Sequence, residues 1–218
     1  VTIMSNTLKA TKLDFSLVKP YIKVIGFTML LPIAFAAINR SILTGVSFAM
    51  CFIAMTTGYT FAVTEKNSME RLDGILPIKK SEMVTGRYLF VLALGAMALV
   101  VSLITQPIVL RAMGEVVVAF YMISASIGGL FLFALYTVFQ IPGYYEYGAI
   151  KGRVFMYIPV AGFLATLFFL PKMPADNPFV TTVVSSPVLL IGLVLVLVVV
   201  MYAVSIWFSI RIMENKEM

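Results

Sequence analysis

The side chains able to do chemistry in this sequence gather in two short segments. TEKNSMERLDGILPIKKSEMVTGRY, from Thr64 to Tyr88, holds the acids Glu65, Glu70, Asp73 and Glu82 among the bases Lys66, Arg71, Lys79, Lys80 and Arg87. PGYYEYGAIKGR, from Pro142 to Arg153, sets Tyr145, Glu146, Lys151 and Arg153 around Gly148. Both signs of charge beside Met69, Leu72, Ile75, Leu76 and Ile78 suit the recognition of another protein surface. The plainer reading of the first segment is an interfacial helix that only joins two membrane spans.

Bond-breaking chemistry lacks its parts. The chain has no His and a single Cys, Cys51, inside an apolar run. Zinc, haem and iron–sulfur sites need several His or Cys ligands, and a disulfide needs two Cys, so no metal site is expected and Cys51 reads as a core thiol. No G-x-x-x-x-G-K-[ST] phosphate loop occurs, and Gly148 to Gly152 lacks its Lys–Ser/Thr pair, so ATP hydrolysis by that route is excluded. An intramembrane protease needs paired Asp, a Ser–His pair or a metal, and no apolar run contains Asp.

The element expected to carry the first segment is a short helix. Thr64 can cap it, Glu65 sits in its first turn, Gly74 stops it, and Pro77 keeps helix from continuing. Ser81 with Glu82 then opens the next long helix.

Around these segments the chain is built for a bilayer. Of its 218 residues 61% are hydrophobic and 12% charged, against about 25% charged in soluble domains. The fold expected is an all-α integral membrane protein, one domain over 1–218, with six transmembrane helices near 22–38, 42–63, 88–110, 116–139, 154–170 and 188–210. No small-residue cleavage site follows the first run, which therefore reads as a span rather than a signal peptide. Apart from Lys23 in the opening turn of the first, these runs hold no Lys, Arg, Asp or Glu. A carrier driven by protons or sodium needs an ionisable group at membrane depth, so a secondary transporter is disfavoured.

Lys9, Lys12, Lys19, Lys23, Lys66, Arg71, Lys79, Lys80, Arg87, Lys151, Arg153, Arg211 and Lys216 fall on one side of that layout, and Arg40, Arg111 and Lys172 on the other. The excess marks the cytoplasmic face and places both termini there, in a multi-pass protein of the cytoplasmic membrane. The net charge of +6 thus points to a membrane rather than to nucleic acid. From Leu8 to Tyr21, Lys9, Lys12 and Lys19 alternate with Leu13, Phe15, Leu17 and Val18, which reads as an amphipathic anchoring helix; each lysine near an anionic leaflet adds about 1 kcal/mol.

E-K-N-x-x-E-R-L from Glu65, then L-P-I-K-K, then V-x-x-R-Y, resembles the cytoplasmic loop of ABC-2 type transporter permeases. PGYYEYGAIKGR resembles the P-x-Y-Y-[KR]-F-G-x-E-K-x-R pattern at the equivalent place in that family. Here Glu146 stands where a base is usual and Ile150 where an acid is usual. Within the family, the chain is most similar to small six-span subunits such as those of the phenol-soluble modulin exporter. The resemblance implies a permease subunit that pairs with a second one, as homo- or heterodimer, and binds two ABC ATPase subunits holding ATP and Mg. It further implies that the helix between spans two and three inserts into the ATPase. Glu65, Lys66, Asn67, Glu70, Arg71, Leu72 and Pro77 would form that coupling surface, with Tyr145, Glu146, Gly148, Lys151 and Arg153 in the second cytoplasmic loop.

The spans offer weak polarity to a cargo. Thr56, Thr57 and Tyr59 near the inner end of span two and Asn39 at the outer end of span one are the candidates for a translocation path. Their plainer role is helix packing, with hydroxyls bonded to their own backbone. A path without counter-charge fits amphipathic or hydrophobic peptides, or a lipophilic molecule, better than sugars or ions. A non-transporting scaffold or a sensor or immunity subunit would carry the same spans and charge bias.

Overall fold

A computed structural model describes residues 2–67, 78–162 and 187–216. The described residues are helical, with no strand among them. Helix α1 (Thr2–Val18) passes through a 3-10 turn (Lys19–Tyr21) into α2 (Ile22–Asn39). Then come α3 (Ile42–Thr56), α4 (Gly58–Lys66), α5 (Lys80–Ala112), α6 (Ala119–Lys151), a second 3-10 turn (Gly152–Met156) and α7 (Pro187–Asn215).

α1 buries Thr7, Ala10, Asp14 and Val18, a helical stripe, against the start of α5. Gly86 lets the two backbones meet, since a Cβ there would lie 2.7 Å from the Ala10 methyl and 3.0 Å from the Thr7 carbonyl. Thr11 Oγ1 donates to the Gly86 carbonyl at 3.0 Å.

α2 and α3 form a hairpin closed by Arg40, whose left-handed backbone (φ 48°, ψ 35°) turns the chain, and by Ser41, whose hydroxyl caps α3. Phe35 stacks on Phe48 across the pair with centroids 4.5 Å apart. The single second span expected at 42–63 is two helices meeting at Thr57. Thr56, Thr57 and Thr60 each donate to the carbonyl three residues back, at 2.7–2.8 Å, and Thr64 to the one four back. Such back-bonding competes with the backbone ladder and bends helices, which accounts for the break.

The same chemistry corrects the reading of Thr64. It does not begin a new helix: it lies in the last turn of α4, bonded back to Thr60, and Asn67 closes that helix. Gly74 and Pro77 lie outside the described residues. The opening of the next helix is close to expectation, with Lys80 first and the Glu82 carboxylate accepting from the Lys79 amide at 3.2 Å. That is a carboxylate in a first turn, where the helix dipole favours it.

α6 overruns the expected end at 139. Pro142 lies inside it, and helical geometry holds until Gly148 (φ 78°, ψ 178°). α7 runs parallel to α6: Thr137 meets the Tyr202 hydroxyl at 2.6 Å, Ser205 donates to the Val138 carbonyl at 2.8 Å, and Ile212 lies beside Glu146. α5 runs antiparallel to both, and Tyr88 Oη bonds Ser205 and Ser209 at 2.6 and 2.9 Å. In hydrocarbon such interhelical bonds act as glue, each worth about 0.6 kcal/mol. The apolar core is Val46, Met50 and Ile53 of α3 against Phe90 and Val91 of α5 and Phe133 and Ile141 of α6. Gly129 of α6 sits close to Val46, and Gly95 of α5 close to the Phe133 ring.

Among the described residues, five helical stretches are long and apolar enough to cross a membrane: 6–39, 42–66, 80–112, 119–162 and 189–215. They account for spans one to four and six. Of the expected fifth span, 154–170, the described part ends at residue 162.

Candidate functional site

The basic connections converge on one end of the bundle. α1, the end of α4, the start of α5, the end of α6 and the end of α7 all meet there, while Arg40 and Glu115 pair at 3.3 Å at the opposite end. The two charged segments, far apart in sequence, touch at this basic end.

Glu65 makes the contact. Exposed in the last turn of α4, it reaches the break in α6, and its Oε2 accepts from the Ala149 amide at 2.7 Å. Gly148 supplies the conformation that frees that amide, in a region of backbone space open essentially to Gly alone. A Cβ at Gly148 would also lie 3.2 Å from the Glu65 carboxylate. The carboxylate thus caps the short helical run beginning at Ala149, as an acid does at a helix N-terminus.

Arg87 fastens the same ground from the α5 side. Its Nη2 and Nε donate to the two oxygens of Asp14 on α1 at 3.0 and 3.2 Å, a bidentate pair 12% and 4% exposed. The guanidinium lies 4.6 Å from the Phe61 ring centroid and 5.8 Å from that of Tyr145, and Nη2 reaches Thr64 Oγ1 at 3.5 Å. Phe61 in turn packs edge-on against Tyr145 and tilted on Tyr144. One cation therefore joins α1, α4, α5 and α6. Arginine suits the place because its flat fork can pair and stack at once. Asn6 adds a bond to Glu82 at 3.3 Å.

Of the residues expected to couple, Glu65 is in this junction, and Lys66 and Asn67 follow it on the exposed rim. Glu70, Arg71, Leu72 and Pro77 lie outside the described residues. In the second segment Gly148 and Tyr145 are in the junction, while Glu146, Lys151 and Arg153 are exposed. Glu146 makes no ion pair among the described residues, consistent with the altered charges at Glu146 and Ile150.

The four residues considered for a path do not gather. Thr56 and Thr57 are buried and bonded to their own helix, Thr57 also to Gln140 Oε1 at 3.3 Å. Tyr59 stacks on Tyr21 with centroids 5.2 Å apart. Asn39, at the far end, donates to the Phe35 carbonyl at 3.0 Å.

Sequence reasoning missed Asp14 and the central place of Arg87. A signal existed for both: Asp14 is the only acid before Glu65, set among lysines, and Arg87 is the charged member of V-x-x-R-Y.

The junction thus ties four helices together through a bidentate ion pair, packed rings and a capped helix break. A family model described as ABC-2 family transporter protein matches residues 11–214. The chain matches no curated protein and no solved structure.

Proposed function

This chain belongs to the ABC-2 transporter family, and from that premise we propose that it is the permease subunit of an ATP-driven exporter, moved by a separate ATPase that binds its basic end. The observation that carries the reading is the bond between Glu65 and Ala149, which ties together two charged segments 84 residues apart. A push on the connection after Lys66 reaches α6 through that bond, and reaches α1 and α5 through Arg87. The ATPase subunits, two in the assembly, hold ATP and Mg; this chain supplies the moving spans, together with a second permease subunit.

Six crossings with both termini cytoplasmic fit the layout. α6 and α7 run parallel, and the basic end carries the Lys and Arg excess that marks a cytoplasmic face. The cargo is an amphipathic or hydrophobic peptide, as in the phenol-soluble modulin group, because the six apolar runs, apart from Lys23 in the opening turn of the first, hold no charged side chain for an ionic solute.

Co-expression with a candidate ABC ATPase tests the reading. The two proteins should co-purify, amphipathic helical peptides should stimulate ATP hydrolysis, and Glu65→Ala should abolish that stimulation while the complex still assembles. Stimulation by sugars or ions but never by such peptides would remove the cargo assignment. A chain that captures no ATPase and shows no nucleotide-dependent phenotype would instead be a scaffold or sensor.

A further inference from the structure

Away from the junction, a groove lies between the ends of α6 and α7. Its deeper part, about 340 Å³, is lined by Phe139, Pro142 and Gly143 of α6, by Phe155, and by Val204 and Phe208 of α7. It continues past Glu146, Phe208 and Ile212 into a shallower part of about 270 Å³ that holds Arg211, Asn215 and Lys216. The deep part offers mostly carbon: of its two hydroxyl-bearing residues, Tyr147 and Ser205, the latter is already bonded to Tyr88 and to the Val138 carbonyl. Pockets of about 300–1,000 Å³ hold small ligands.

The rim is cationic. Arg211 lies 5.3 Å from the Trp207 ring, and neither it nor Lys216 forms an ion pair among the described residues. Lys80 Nζ donates to the Lys216 carbonyl at 3.2 Å, bringing a third cation to the same place. Among the described lining residues the one acid, Glu146, stands where the apolar and polar parts meet.

We propose that this groove is a binding site for a hydroxyl-bearing anionic phospholipid of the phosphatidylglycerol type, taken from the leaflet at the basic end. Its acyl chain lies along Pro142, Gly143 and Phe155, its phosphate faces Arg211 and Lys216, and a headgroup hydroxyl donates to Glu146. A cationic mouth on an apolar slot matches that amphiphile in both halves, and basic pockets between helices at the cytoplasmic face are where anionic headgroups bind. The inference shares the inner-face orientation of the basic end with the functional reading above.

Trp207, the only Trp in the chain, packs against the groove residues Phe208 and Arg211 and serves as the probe. The full-length protein is placed in nanodiscs with a constant fraction of lipid brominated along its chains, either phosphatidylglycerol or phosphatidylethanolamine, and quenching of Trp207 is read. Phosphatidylglycerol should quench the more strongly, and Arg211→Ala with Lys216→Ala should remove the difference, about fivefold in relative association per cation lost. Val204→Phe, which fills the deep part from a half-exposed position, should reduce quenching by phosphatidylglycerol with the rim charges intact. Equal quenching by the two lipids, or a preference untouched by the charge variants, would overturn the site. A preference that survives Val204→Phe would also overturn it, leaving headgroup attraction alone. The assay needs no ATPase, so it reads out whether or not coupling through Glu65 holds, and its failure leaves that coupling standing.

Discussion

Arg87 makes a bidentate ion pair, a stacked ring contact and a hydroxyl contact from one guanidinium, and shortening the side chain removes them together. Arg87→Ala would strand Asp14, 4% exposed, without its counter-charge. Losing one partner of such a pair costs about 3–5 kcal/mol. Arg87→Lys keeps the charge but neither the fork nor the flat face, and should cost about 2 kcal/mol. Thermal unfolding of the purified chain in detergent should rank native above Lys above Ala; equal melting of Lys and Ala would show that charge alone does nothing there. Gly148→Ala should cost about 1–3 kcal/mol from its backbone conformation. Its mark should be local: faster amide exchange at Ala149 as the Glu65 bond is lost. This level was the least legible in the sequence. Charge type and loop position marked Glu65 and Gly148, but the pairing of Asp14 with Arg87 spans 73 residues, and no local pattern encodes a partner at that distance.

The helices themselves were readable from hydropathy because lipid leaves a chain few options: a run of some 20 apolar residues must satisfy its backbone internally, as helix. Their ends were not. Thr64 looks the same whether it caps a helix or bonds back along one, and the winning choice was set by the continuation of α4. The fourth span was expected to end near 139, yet α6 passes through Pro142 and breaks only at Gly148, since membrane helices tolerate a proline whose freed carbonyl finds other partners. α1 depends on one close approach. Gly86→Leu would drive a side chain into Ala10 and the Thr7 carbonyl, so α1 should leave α5. Limited trypsin digestion should then cut after Lys9 and Lys12 several times faster than in the native protein, and an unchanged rate would show that α1 is held elsewhere.

Among the described residues the two ends of the molecule are built differently. One is closed by a buried pair and a capped helix break, the other by the exposed Arg40–Glu115 pair, a kind worth about 0–1 kcal/mol. The proposed orientation puts the loosely tied end outside the cell. In a Cys51→Ser background, Glu115→Cys should react with an impermeant maleimide on intact cells, and Asn215→Cys only after permeabilisation. The reverse pattern would invert the protein and move any ATPase contact to the wrong side. The charge distribution in the sequence already implied two unlike ends, whereas the parallel course of α6 and α7 emerged only from which side chains meet across them.

The pairing of Asp14 with Arg87 also has a consequence for how the protein is made. During synthesis the carboxylate leaves the ribosome 73 residues ahead of its guanidinium, and two hydrophobic segments enter the bilayer in between. The N-terminal helix therefore has no docking place until the third segment arrives, and the same late event brings in Gly86, on which that helix rests. Biogenesis then has a built-in order: nascent chains that end before Arg87 keep a loose leading segment, and the first moment at which the inner layer can set is the emergence of α5.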